Sequence, residues 1–137
     1  KPDYAEACYN LGVSLQKQNK LRSATEAYQR AIALSSNYAE AHYNLGLIFQ
    51  SQSDLDKATE AFKRAVNIRS DYTEALNNLG ISLRKQGKID EALAAYRQAH
   101  STNPDYAEVC YNMGVVFQDK KDPGEAIDWH RALRRSA

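Results

Sequence analysis

Four carboxamides, at Asn10, Asn44, Asn78 and Asn112, recur every 34 residues, each inside a stretch close to Tyr-Ala-Glu-Ala-x-Tyr-Asn-Leu-Gly. A side-chain amide carries one acceptor and two donors, which match the N–H and C=O of an extended polypeptide. Pairing of that kind reads backbone rather than side chains and suits permissive peptide recognition. Asparagine costs up to roughly 0.7 kcal/mol in a helix interior, so its return in every period needs a reason. Two readings fit: the amides hold a ligand, or they bond to the backbone of the neighbouring repeat and set the stacking.

A second periodic row consists of Glu6, Glu40, Glu74 and Glu108, each three residues after Asp3, Asn37, Asp71 or Asp105. An Asp or Asn cap followed at that distance by Glu satisfies orphaned N–H groups reciprocally at a helix start. The row is therefore expected to cap helices, not to act as acids or bases. His42, His100 and His130 are 58 and 30 residues apart, with no cysteine or carboxylate cluster to complete a zinc site. His42 stands where the other repeats carry Cys8, Leu76 and Cys110, and reads as a core or groove histidine. Neither a phosphate-cradling Gly-rich loop nor a Gly-x-Ser-x-Gly elbow occurs. No enzymatic activity, metal or cofactor is expected. Cys8 and Cys110 lie three periods, 102 residues, apart. With helix layers roughly 8–10 Å apart, they cannot meet the limit of about 7 Å between the Cα atoms of a disulfide. Both are expected to be reduced, as in an intracellular, cytoplasmic protein.

These residues are positioned by a repeat. Tyr4, Tyr38, Tyr72 and Tyr106 mark a fixed 34-residue period, the signature of stacked supersecondary units. Four periods nearly exhaust the 137 residues and divide them as 4–37, 38–71, 72–105 and 106–137. Lys1 in place of an initiator Met fits a trimmed or recombinant piece. In each period a first helix carries apolar residues at helical spacing, such as Ala7, Leu11 and Leu15 or Ala41, Leu45 and Phe49. It is expected to end near Gln18, Gln52, Gln86 and Lys120. Gly12, Gly46, Gly80 and Gly114 fall inside it at about 1 kcal/mol each relative to alanine, which implies close approach of a partner helix.

A second helix follows the turns Asn19-Lys20, Ser53-Asp54, Gly87-Lys88 and Asp122-Pro123. It contributes Ala24-Tyr28-Ala31, Ala58-Phe62-Ala65 and Ala92-Tyr96-Ala99 to the core, with Glu26–Arg30 and Glu60–Arg64 as exposed pairs one turn apart. The fourth repeat departs: five residues separate Ala126 from Ala132 where the others place six. Its second helix is expected to be irregular, with Trp129 and His130 near the aromatic position. Ile127, Trp129 and Leu133 form a possible apolar assembly edge, through which copies could oligomerise.

The Leu-Gly pairs (Met113-Gly114 once), the Ala-x3-aromatic spacing in three repeats, and Pro2 and Pro104 closing a unit together resemble the tetratricopeptide repeat family. The chain departs from that family's Trp, which is replaced by Cys8, His42, Leu76 and Cys110. The resemblance implies an all-α, right-handed superhelical α-solenoid of eight helices in antiparallel pairs, working as a protein–protein interaction module or scaffold. It also implies that the first helix of each repeat lines a concave groove, where the four asparagines would form a ladder like that of protein-modifying glycosyltransferases with such arrays. Beside the ladder, Tyr9, Tyr43 and Tyr111 and the aliphatic Val13, Leu47, Ile81 and Val115 would complete a peptide-binding groove. The family's carboxylate clamp for chaperone tails needs Lys, Asn, Asn, Lys and Arg. Those places read Tyr9, Val13, Asn44, Glu74 and Asn78, or one repeat later Tyr43, Leu47, Asn78, Glu108 and Asn112, so no clamp is expected. A net charge of +1 and the lack of a basic stripe argue against nucleic acid and anionic membrane. No apolar run approaches the roughly 20 residues of a membrane span. The expected partner is a protein or peptide, or a second copy of the chain.

Overall fold

A computed structural model describes residues 2–136, with the side chains of Pro2, Asp3 and Ser136 outside the description. Eight α-helices and no strand occur among the described residues. They are α1 (Pro2–Lys17), α2 (Leu21–Leu34), α3 (Ala39–Ser51), α4 (Leu55–Ile68), α5 (Thr73–Lys85), α6 (Ile89–Thr102), α7 (Ala107–Asp119) and α8 (Pro123–Ser136). The chain divides into two compact units, residues 1–70 and 71–137. In the first, α1 packs on α2, α3 on α4, and α2 against α3; in the second, α5 packs on α6, α7 on α8, and α6 against α7.

Glycine against an aromatic ring holds each pair together. A methyl group on Gly12 would lie 2.6 Å from Tyr28, on Gly46 2.4 Å from Phe62, and on Gly80 2.4 Å from Tyr96. Only a residue without a Cβ lets the second helix seat its ring there, which accounts for glycines in helix interiors. Around these contacts Ala24, Tyr28, Ala31, Ala41, Leu45 and Ile48 form the first unit's core. Leu11, by its spacing a core residue, is 54% exposed, whereas its counterparts Leu45, Leu79 and Met113 are buried. Leu45 and Met113 have the preceding repeat of their own unit to pack on.

The fourth repeat keeps the frame. Gly114 meets the ring of His130 at 2.8 Å, so His130 takes the place of Tyr28, Phe62 and Tyr96. α8 has 14 residues, as do α2, α4 and α6. Leu133 occupies the register of the alanines Ala31, Ala65 and Ala99; Ala132 is a neighbour that only imitates the spacing.

Helix starts also differ from expectation. The N-caps of α3, α5 and α7 are Tyr38, Tyr72 and Tyr106, one residue later than expected, and none makes a side-chain cap hydrogen bond. Asn37 is occupied otherwise, its Oδ1 accepting from Ser35 Oγ at 3.0 Å. The cap expected at Asp3 lies outside the described side chains. A missing side-chain cap costs about 1 kcal/mol; at α3 the Tyr38 ring instead stacks on Tyr9 with centroids 4.9 Å apart. Glu40, in the first turn of α3, favours the helix dipole and bonds Arg69 Nη1 at 2.8 Å instead of the cap. At α4 and α8, Asp54 and Asp122 do cap, accepting from the backbone N–H of Lys57 and Glu125, each at 3.3 Å. The pair Glu60–Arg64 forms at 3.1 Å, while Glu26 lies 4.0 Å from Arg22 rather than pairing with Arg30. Each tight turn between paired helices has one left-handed residue: Asn19, Ser53, Gly87 or Lys121.

Candidate functional site

The carboxamides sit on the first helix of each pair, but they do not share one role. Tyr28 is fully buried and donates its hydroxyl hydrogen to Gln16 Oε1 at 2.7 Å. That hydroxyl can therefore only accept from Asn44, whose Nδ2 lies 3.2 Å from it. The same Nδ2 reaches Tyr9 OH, also at 3.2 Å. The network fixes which way the amide faces: both donors point to phenols, and Oδ1 takes no hydrogen bond among the described residues. Burial pushes the Tyr28 phenol up to about 12, against a smaller lowering by the Asn44 bond, so the phenol stays neutral and the network intact at ordinary pH. Tyr9 also packs its ring at 5.7 Å from that of Tyr28.

In the second unit the bond recurs at the same 35-residue separation with a different partner. Asn112 Nδ2 donates to Asn77 Oδ1 at 2.8 Å. Asn77 stands where the other repeats carry Tyr9, Tyr43 and Tyr111. It is 1% exposed, and its Nδ2 has no hydrogen-bond partner among the described residues. Asn78 Nδ2 donates back to its own helix, to Glu74 O at 2.9 Å. Asn10 is exposed. Asn44 and Asn112 thus bond the preceding repeat within their unit, but through its side chains and not through its backbone as the stacking reading expects.

Their flanks are mixed. Val13, Leu47, Ile81 and Val115 are half-buried, leaving part of each aliphatic chain at the surface. Tyr43 packs its ring 5.9 Å from Phe62. Tyr111 is 52% exposed, with its ring 6.3 Å from His130. Of the expected assembly edge, Ile127 is half-exposed, Leu133 is half-buried, and Trp129 meets His100 edge to face at 4.8 Å. Cys8 and Cys110 are free thiols; burial pushes that of Cys110 up. No group of three or more His, Cys, Asp or Glu residues able to hold a metal ion occurs among the described residues. No described helix is long and apolar enough to cross a membrane.

Two features escaped the sequence reading. The tyrosines' role in orienting the amides could have been found from the 35-residue offset between Tyr9 and Asn44. The other is a cleft among α2, α3 and α4, signalled only by the small Ala61 where the last repeat has Trp129.

Helix pairs built on a glycine–ring contact define a helical-repeat scaffold. The TPR repeat family model matches residues 15–53 and 82–121, more than half of the chain, and the tetratricopeptide repeat model matches residues 39–72. The chain belongs to the tetratricopeptide repeat family, whose members are protein-interaction scaffolds. Among solved structures it is similar to a crystal structure of MamA, with 24% identity, covering 99% of this chain and 80% of that one at a TM-score of 0.92. A MamA RS-1 ArsTM double mutant matches with 18% identity over 99% of this chain and 76% of its own, at 0.89. MamA 41-end from Desulfovibrio magneticus RS-1 matches with 17% identity over 96% and 75%, at 0.87. At these identities the likeness shows the fold. No curated protein matched.

Proposed function

We propose that the chain binds an extended segment of a partner protein along the first helices of its pairs, with the asparagines contacting the partner's backbone. The observation that carries this reading is the fixed Asn44 amide: its donors are committed to Tyr9 and Tyr28, and its Oδ1 is left to accept a peptide N–H. The ladder then reads N–H groups, where the amide alone could read both N–H and C=O. Asn112, oriented by Asn77, plays the same part in the second unit. Val13 and Leu47, with Ile81 and Val115, supply apolar contact, and Tyr9, Tyr43 and Tyr111 the aromatic surface that interface hot spots favour. Selection of peptides from a displayed random library, followed by titration of the selected peptides, tests it. Asn44→Ala with Asn112→Ala is expected to weaken binding about tenfold or more, each tenfold step being about 1.4 kcal/mol, while the protein stays folded. Unchanged affinity in a folded double variant would refute it.

A second reading is favoured by Ile127 of α8, 50% exposed, and by Tyr4 and Leu11 of α1, 57% and 54% exposed. These apolar side chains would let copies associate end to end. Sedimentation velocity at rising concentration is expected to show association that Ile127→Glu removes; a monomer throughout would eliminate this reading.

A further inference from the structure

In the first unit, α2, α3 and α4 leave a cleft of about 500 Å3, within the roughly 300–1,000 Å3 of small-ligand pockets. Its lining includes Leu45 and Phe49 of α3, Ile32 of α2, Ala61 of α4, and the ring of His42. Lys57 Nζ lies 5.7 Å above the Phe49 ring.

The second unit carries the same frame 68 positions later, filled from within. Trp129 stands at the register of Ala61 and His100 at that of Ile32, and their rings meet edge to face at 4.8 Å. Phe117 matches Phe49, and Arg97 lies 5.9 Å above its ring, much as Lys57 does in the first unit. One unit therefore holds an indole at this register; the other has a methyl group and an open cleft.

We propose that the first unit's cleft binds the indole of a tryptophan side chain presented by a partner polypeptide, taking the place that Trp129 fills in the second unit. The lining supplies what an indole needs. Apolar walls and a cation-capped phenyl ring receive its faces. His42 Nε2, 3.3 Å from Ser36 O, donates to that carbonyl, so Nδ1 is the ring's acceptor and can take the indole N–H. The charges at the rim are matched internally, Glu60 with Arg64 at 3.1 Å and Lys57 with Asp54 at 3.8 Å. An uncharged ring therefore suits the cleft better than an acidic group. This site is separate from the amide face and stands or falls independently of it.

The test uses N-acetyl-tryptophanamide and the peptide Gly-Ser-Trp-Ser-Gly as probes, with N-acetyl-leucinamide as control. The readout is the methyl signals of Ile32 and Leu45 and the imidazole signals of His42 by NMR. Both tryptophan probes are expected to shift these signals saturably, with Kd on the order of 1 mM for so small a ligand, and the control is not. Ala61→Trp, which closes the cleft as the second unit does, is expected to abolish the shifts. Because that variant may fold poorly, Trp129→Ala provides an independent arm: opening the second cleft is expected to add a second set of shifts at Met113 and Phe117. Absence of saturable shifts in the unaltered protein, equal shifts with the leucine control, or shifts that persist in a folded Ala61→Trp variant would overturn the proposal. Binding of the amide but not of the peptide would overturn the assignment to a polypeptide partner.

Discussion

At the scale of single residues, the same carboxamide spacing carries different chemistry in the two units because of what lies 35 residues earlier. Tyr9 offers Asn44 an accepting hydroxyl on a ring that packs against Tyr28, whereas Asn77 offers Asn112 only its Oδ1 and buries its own Nδ2 without a partner among the described residues. An unsatisfied buried donor costs about 1–3 kcal/mol. Asn77→Tyr, which reproduces the Tyr9–Asn44 pair, is therefore expected to raise stability by an amount of that order, measured by chemical denaturation; a loss would show that the site cannot admit the ring. His42 gives a pH-dependent counterpart. It is 6% exposed, and burial, its largest cause, lowers its pKa from the ordinary value of 6.5. The native state then holds the proton less tightly than the unfolded chain, so stability is complete above about 6.5 and falls as pH drops through the lowered folded value. His42→Leu, the residue that Leu76 places at the same register, is expected to flatten this decline in melting temperature between neutral and mildly acid pH. An equally steep decline in the variant would assign the effect to other groups.

At the scale of the helix pair, a glycine in one helix and a ring in the other fix the contact, and the rigidity of the ring decides the cost of disturbing it. Phe62 is fully buried and cannot yield to a methyl group 2.4 Å away. Gly46→Ala is expected to destabilise by about 1–3 kcal/mol through overpacking, despite a helix-propensity gain of about 1 kcal/mol. Gly114→Ala, facing the half-buried His130 at 2.8 Å, is expected to cost less, because that side chain can swing aside. Equal losses in thermal denaturation would contradict the account. Much of this level was legible in the sequence: the eight helices, their ends and the reason for the glycines follow from the 34-residue period and local chemistry. The starts of α3, α5 and α7 were not: Tyr38, Tyr72 and Tyr106 take the cap position without a side-chain hydrogen bond, and the Tyr38 ring stacks on Tyr9, a tertiary contact that local propensity cannot register. The alanine count misled at α8 for a similar reason: Ala132 mimics a register that the His130–Gly114 contact sets elsewhere.

At the scale of the whole molecule, a repeat family scaffold with net charge +1 is suited to recognition by shape and hydrogen bonding more than by long-range field. Which residues repeat was readable from the sequence; whether each repeated amide is committed or available was not, since that depends on partners such as Gln16 and Tyr28 brought in by packing. The central claim is that partner backbone lies along the first helices. Cross-saturation NMR tests it most directly, with a selected, protonated peptide bound to the perdeuterated chain. The account predicts transfer to the side-chain amides of Asn44 and Asn112 and to the methyl groups of Leu47 and Val115. Transfer confined to α2, α4, α6 and α8, with those groups unaffected, would contradict it.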